Sequence, residues 1–245
     1  MRLAATITLL FVVGSVTAGP LTIGVASNFL PTAEKIAADF TATTGVEVRI
    51  SSGSTGKLHT QILHGAPYDV FLAADDQSPA MLEASGQGVA GSRFVYARGV
   101  LVLWSIAPAA NCSFHFDDLG DARLAIANPT TAPYGRAARE FLELTGSWEK
   151  VSSQVVYGEN VAQALHFAAT ANARYAIVAK AQSLGPDLPE ASCLRHIPEE
   201  TYMPLKQEAQ LLQRAEDDPD ALAFLQYLQS DAARDTIRSM GYGVP

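Results

Sequence analysis

The sequence predicts an α/β protein of two lobes facing each other across a cleft. Three observations carry this. Short apolar runs of strand type alternate along the chain with segments whose apolar residues recur at helical spacing. At four places a strand-type run passes into a turn rich in Ser, Thr, Asn or Gly and then straight into a helix start. Two of these places fall in the first half of the chain and two in the second. In parallel α/β sheets ligands sit beyond the carboxyl ends of the strands, where helices begin. Four such ends therefore converge most simply on a cleft between two lobes.

In order, Thr22–Ala26 is a buried strand. Ser27 or Asn28 is placed to cap the next helix, Pro31 fits its first turn, and Ala33, Ile36, Ala37 and Phe40 lead to a stop at Gly45. Val46–Ile50 alternates as a half-buried strand. The turn after it, from Ser51 to Lys57, puts Ser54 and Thr55 at the start of a short helix ending at Gly65. This turn lacks the spacing of a phosphate-binding P-loop, and an ordinary flexible cap explains it equally well. Val70–Ala73 is a buried strand. Asp75 and Asp76 read as turn residues before a helix capped by Ser78 and opened by Pro79.

Val95–Ser105 reads as one long strand, interrupted at Ala97-Arg-Gly99, that crosses into the second lobe. Leu124–Ala127 is a strand, followed by a Pro/Thr turn and a helix from about Tyr134 to Gly146. Val155 and Val156 end a strand, and Gly158–Ala162 opens the next helix. Tyr175–Ala179 is a strand, Asp187–Pro198 a turn-rich loop carrying Cys193, and Gln207–Gln213 the returning strand. Asp218-Pro219 starts a helix through Leu228, and Ser230 caps a last one stopping at Gly241.

Residues 1–18 read as a signal peptide. Arg2 is the charged start, Ala4–Val13 is mostly apolar but too short to span a bilayer, and Val16-Thr17-Ala18 is a small-residue cleavage site. No Cys follows it, so no lipid anchor is expected, and the mature chain is expected in the periplasm. The net charge of −8 becomes −9 once Arg2, the one charged residue of that segment, is removed. An acidic chain without a basic tract excludes nucleic acid as a partner. The five histidines are scattered, and no C-x-x-C occurs, so neither a metal site nor a cofactor is expected. Cys112 and Cys193, an even pair in an exported chain, predict a disulfide, with two separately buried thiols as the alternative.

A helix start leaves free N–H groups aimed at one point and favours negative charge there. Four such starts, with hydroxyl and amide side chains beside them, make a seat for a small anion. An exported hydrolase using Ser27 as nucleophile is a competing reading. No G-x-S-x-G elbow exists, and no His sits in any of the four turns to act as base.

The segments Ala26–Phe29, Ser51–Gly56, Gly65–Phe71, Ser92–Ala97, Asn128–Gly135 and Glu159–Ala162, in this order, resemble the periplasmic molybdate-binding proteins of ABC uptake systems. The resemblance covers essentially the whole mature chain. It implies the type II periplasmic-binding-protein fold, two α/β lobes joined by two crossing strands. The first lobe would take residues 19–99 and 208–245 and the second 100–207. It implies a monomer that binds molybdate or tungstate, is not an enzyme, and delivers its ligand to a membrane permease. Another tetrahedral oxyanion, sulfate or phosphate, is the alternative ligand, with Asp69 as the one nearby carboxylate for a phosphate proton. The resemblance implies oxyanion binding by Ser27 and Asn28 in the first turn and by Thr55 with Ser54 beside it in the second. The third and fourth turns would give the backbone N–H groups of Tyr134 and Val161. These same residues are the metal site if molybdate is counted as a metal. A tyrosine that some relatives use after the strand Tyr175–Val178 is replaced here by Ala179. Lys57 and Arg136 lie two residues beyond Thr55 and Tyr134, so helix phasing turns both away from the ligand and toward solvent.

Overall fold

The apolar runs build two five-stranded mixed sheets, each covered by helices. The computed structural model describes residues 19–108, 112, 113, 115, 116 and 119–245; the expected signal peptide, 1–18, lies outside them. The chain begins with β1 (Leu21–Ala26), a 3-10 turn (Ser27–Phe29), α1 (Leu30–Thr44), β2 (Val48–Gly53), α2 (Thr55–Leu63), β3 (Val70–Leu72), α3 (Gln77–Ala84) and β4 (Phe94–Arg98). It then forms β5 (Leu101–Ser105), β6 (Leu124–Ala127), α4 (Pro133–Leu144), α5 (Trp148–Val151), β7 (Val155–Gly158), α6 (Val161–Ala169), β8 (Tyr175–Ala179), α7 (Lys180–Ser183) and β9 (Cys193–His196). It returns through β10 (Lys206–Leu211) to α8 (Pro219–Leu228) and α9 (Asp231–Ser239). The first sheet has the order β2-β1-β3-β10-β4 and the second β7-β6-β8-β5-β9. The chain crosses from one sheet to the other between Arg98 and Leu101, and returns before Lys206.

Local chemistry sets many of these boundaries. Pro31 and Pro133 sit in the first turns of α1 and α4, where a missing N–H costs nothing. Gly45 ends α1 in the left-handed region at φ 79°. Asn160 accepts from Gln163 N, Asp218 from Asp220 N, and Ser230 from Ala233 N, capping α6, α8 and α9.

Several sequence expectations are corrected. The stretch 95–105 is two strands in different sheets, because Gly99-Val100 turns the chain between lobes. Val155 and Val156 begin β7 rather than end a strand. Cys193 lies on a strand, since β9 pairs antiparallel with β5; its exposed Leu-Arg-His tail hides that edge in the sequence. Ser78 does not cap α3: Asp75 Oδ1 accepts from Ser78 N at 3.0 Å, and the helix begins at Gln77. Neither Ser27 nor Asn28 caps the helix after it, because the 3-10 turn intervenes.

Each lobe has its own apolar core. The second is centred on Trp104, Phe141 and Tyr175, all fully buried. The first is centred on Phe29, Phe40 and Phe224, with Phe40 and Phe224 edge to face at 5.3 Å. Phe29 also packs edge to face on Tyr96 at 4.6 Å and on Tyr242 at 5.3 Å, which fixes the first turn against the returning C-terminal segment. Cys112 and Cys193 form the predicted disulfide, with Cα atoms 5.5 Å apart.

Candidate functional site

β1, β2, β6 and β7 all end toward the gap between the sheets, and each hands the chain to a helical start there. The four starts line one cavity: Ser27 and Asn28, Ser54 and Thr55, Pro133 and Tyr134, Asn160 and Val161. All six sequence-predicted ligand residues meet in it. Ser54 Oγ is buried and has no hydrogen-bond partner among the described residues, an arrangement that costs free energy unless a ligand or water completes it. Thr55 Oγ1 accepts from Ala74 N at 3.0 Å, so its own proton remains to be donated. Tyr134 and Val161 stand in the first turns of α4 and α6, where N–H groups have no intrahelical acceptor.

Asn28 differs from these. Its Nδ2 donates to Gln207 Oε1 at 3.0 Å and to Tyr242 OH at 3.2 Å, so both amide protons are already placed inside the protein. What this residue leaves for a ligand is its backbone N–H. The sequence reading missed Gln207 and Tyr242, which bond Asn28, and Tyr96, whose hydroxyl meets Gln207. A buried glutamine in the returning strand is a signal, but its partners are far away in sequence.

Among the described residues no cationic side chain lines the cavity. Lys57 and Arg136 are half-exposed and do not simply face solvent: each pairs with a carboxylate of the other lobe. Lys57 bonds Glu159, and Arg136 Nη2 lies 2.7 Å from Asp75 Oδ2. Further bonds between the lobes reach main-chain atoms. Gly56 N donates to Thr131 O at 2.8 Å, and Gln182 Nε2 donates to Ser27 O at 2.9 Å. A Cβ at Gly56 would sit 2.9 Å from Thr131 O, so the lobes meet there backbone to backbone. Asp69 is turned elsewhere: it accepts from Thr22 N at 2.7 Å and bonds Arg214. Burial pushes the phenols of Tyr96, Tyr134 and Tyr242 above their ordinary range, so the groups around Asn28 stay neutral. The arrangement can hold a compact anion by dipoles and hydroxyls in a site without counter-charge.

Residues 21–243 match the family model described as bacterial extracellular solute-binding protein. Molybdate-binding protein ModA of Azotobacter vinelandii is 41% identical over 234 residues, covering 93% of this chain and 91% of the relative. ModA of Rhodobacter capsulatus is 40% identical over 231 residues, covering 92% and 88%. The solved periplasmic molybdate-binding protein of Azotobacter vinelandii superposes with a TM-score of 0.86 at 35% identity, over 92% of this chain and 99% of that one. The sulfate-binding protein SubI of Mycobacterium tuberculosis H37Rv shares the fold at a TM-score of 0.73 and 13% identity, over 92% and 86%. The sheet order, the four helix starts on one cavity and these matches converge: the chain belongs to the bacterial extracellular solute-binding proteins.

Proposed function

We propose that this protein captures molybdate, and tungstate with similar affinity, between its lobes and delivers it to the membrane permease of an ABC importer. The observation that carries the reading is the convergence of four uncharged donor turns on one cavity, with the Ser54 hydroxyl left without a partner there. The names of the relatives at about 40% identity support the same ligand. Ser27, Ser54 and Thr55 would donate hydroxyls, and Asn28, Tyr134 and Val161 backbone N–H groups. The protein acts as a binder rather than an enzyme and as a monomer, without a cofactor, exported by a signal peptide over residues 1–18. The absence of a histidine or carboxylate among the described lining residues supports a binder over a Ser27 hydrolase.

Sulfate has the same charge and shape as molybdate, so helix dipoles do not separate them. Size does. Donors fixed by two closed lobes reach every oxygen of the larger anion, while around sulfate some stay unpaired, at about 1–3 kcal/mol each. Calorimetric titration at fixed ionic strength is expected to give one molybdate or tungstate per chain. Sulfate should bind at least about a hundredfold more weakly, about 2.7 kcal/mol. A melting temperature unmoved by millimolar molybdate and tungstate would refute the ligand, because a ligand held by the folded state stabilises it by mass action. Equal sulfate and molybdate affinities would make the protein a general oxyanion binder.

A further inference from the structure

We propose that Gln207 is a positioning residue for anion capture, a single buried amide that ties one ligand turn of each lobe to the returning strand. This rests on the oxyanion reading of the cavity. Gln207 stands on β10 with no exposed surface. Its Oε1 accepts from Asn28 Nδ2 at 3.0 Å and lies 3.2 Å from Tyr96 OH, whose one proton is shared with Ala73 O at 3.0 Å; its Nε2 donates to Tyr134 OH at 3.1 Å. Asn28 belongs to the first lobe's site turn and Tyr134 to the second's.

The directions of the Asn28 and Tyr134 bonds are forced. Tyr242 OH gives its one proton to the backbone O of Asn28 at 2.5 Å, so it must accept from Asn28 Nδ2. The other proton of that amide then faces Gln207, which must present its oxygen. The Gln207 amide nitrogen is thereby turned toward Tyr134. A neutral group that accepts on one side and donates on the other satisfies the chain without adding charge near the anion. Gly99 leaves the room: a Cβ there would lie 2.2 Å from Tyr134 OH and 2.9 Å from Gln207 Nε2. The amide therefore sits where the chain crosses between lobes, and it senses whether both site turns are in register.

The test compares Gln207→Glu, Gln207→Leu, Tyr134→Phe and the double variant Gln207→Leu/Tyr134→Phe with the parent protein, by molybdate titration between pH 5.5 and 8.5. Binding by the parent protein tests the ligand; the ratio of variant to parent tests Gln207. Burial raises the carboxyl pKa of the nearly isosteric Gln207→Glu, so its charge is greatest at pH 8.5, where binding is expected to be weakened at least about a hundredfold by like-charge repulsion. As pH falls and the carboxyl protonates, most of that loss should be recovered, while the parent stays flat. Gln207→Leu and Tyr134→Phe should each weaken binding by at least about tenfold, and the double variant by little more than Gln207→Leu alone, because Tyr134→Phe removes a bond that Gln207→Leu has already removed. A Gln207→Glu loss that is constant with pH, or single losses that multiply, would overturn the proposal in favour of a purely structural glutamine. If Gln207→Leu does not fold, Tyr134→Phe, which removes one hydroxyl and keeps the ring, decides: binding equal to the parent overturns it.

Discussion

The two lobes approach the same cavity with different chemistry. On the proposed reading the first would bring mostly side chains: the hydroxyls of Ser27, Ser54 and Thr55 on two short turns, beside the backbone N–H of Asn28. The second would bring main chain: the N–H groups of Tyr134 and Val161, whose side chains are buried and, for Tyr134, bonded to Gln207. The first lobe is closed by its own C-terminal segment, whereas the second is pinned by the Cys112–Cys193 bond. The first half of the site would then depend mostly on residue identity and the second on where two helices start. Substitutions should therefore act through side-chain chemistry in one lobe and through backbone chemistry in the other.

The largest expected effect separates stability from binding. Reducing the disulfide, which spans 81 residues, should cost about 2–4 kcal/mol of stability in denaturant unfolding, through greater freedom of the unfolded chain. Affinity should move by less than about twofold, roughly 0.4 kcal/mol. A tenfold loss of affinity on reduction would show that the staple, not the helix starts, aims the second lobe's donors. Next comes closure. Gly56→Val should prop the lobes apart at Thr131 and weaken molybdate binding at least about a hundredfold, about 2.7 kcal/mol, with little change in the melting of the ligand-free protein.

The sharpest comparison sets one donor of each lobe side by side. Val161→Pro removes an N–H at the first position of α6, where proline is tolerated, and Asn160 before it is already extended at φ −146°, ψ 176°. It should cost about 1.5–3 kcal/mol of binding, the usual worth of a hydrogen bond to a charged group. Ser54→Ala should cost about the same for the same reason. Val161→Ala, which keeps the N–H, should be nearly silent; an equal loss from Val161→Ala would end the distinction between the lobes. The smallest effect lies at the cleft's rim. Lys57 and Glu159 are 47% and 56% exposed, so Lys57→Ala should change affinity by about 0.2–1 kcal/mol, fading as salt is added. A loss exceeding that of Ser54→Ala would mean that the site uses a cation.

What the sequence revealed follows the range of the forces involved. Leu124–Ala127, Tyr175–Ala179 and Pro219–Leu228 could be bounded from short apolar runs and local caps, because a cap acts over three residues. The four turns were legible for the same reason, each being a strand, a turn and a helix start in succession. The asparagine at position 28 was legible as a polar residue in the cavity but not as one whose amide is occupied. Its partners lie 179 and 214 residues away, and only the folded sheet brings them near. The cross-lobe pairs of Lys57 and Arg136 were hidden likewise, since helix phasing tells which way a side chain leaves its own helix, not what waits across a cleft. β9 escaped because one buried residue in four gives no period to read.

The position of β10 bears on how the molecule comes into being. β4, an edge strand, is hydrogen-bonded in its sheet by β10, with a further bridge between Arg98 and Gly243. Every strand of the second sheet comes from the unbroken stretch 101–196, whereas the first sheet waits for residues 206–211 to slot between β3 and β4. A chain made from its N-terminus onward thus has all the strands of its second sheet before it can complete its first. Residues 21–98 must remain unfinished, with sheet edges unpaired, until the last forty residues arrive, and their long-range pairing is the slow kind. The sheet that carries the hydroxyl-bearing turns is therefore the one whose completion waits for a late strand, and until then the edge of β3 is open to mispairing.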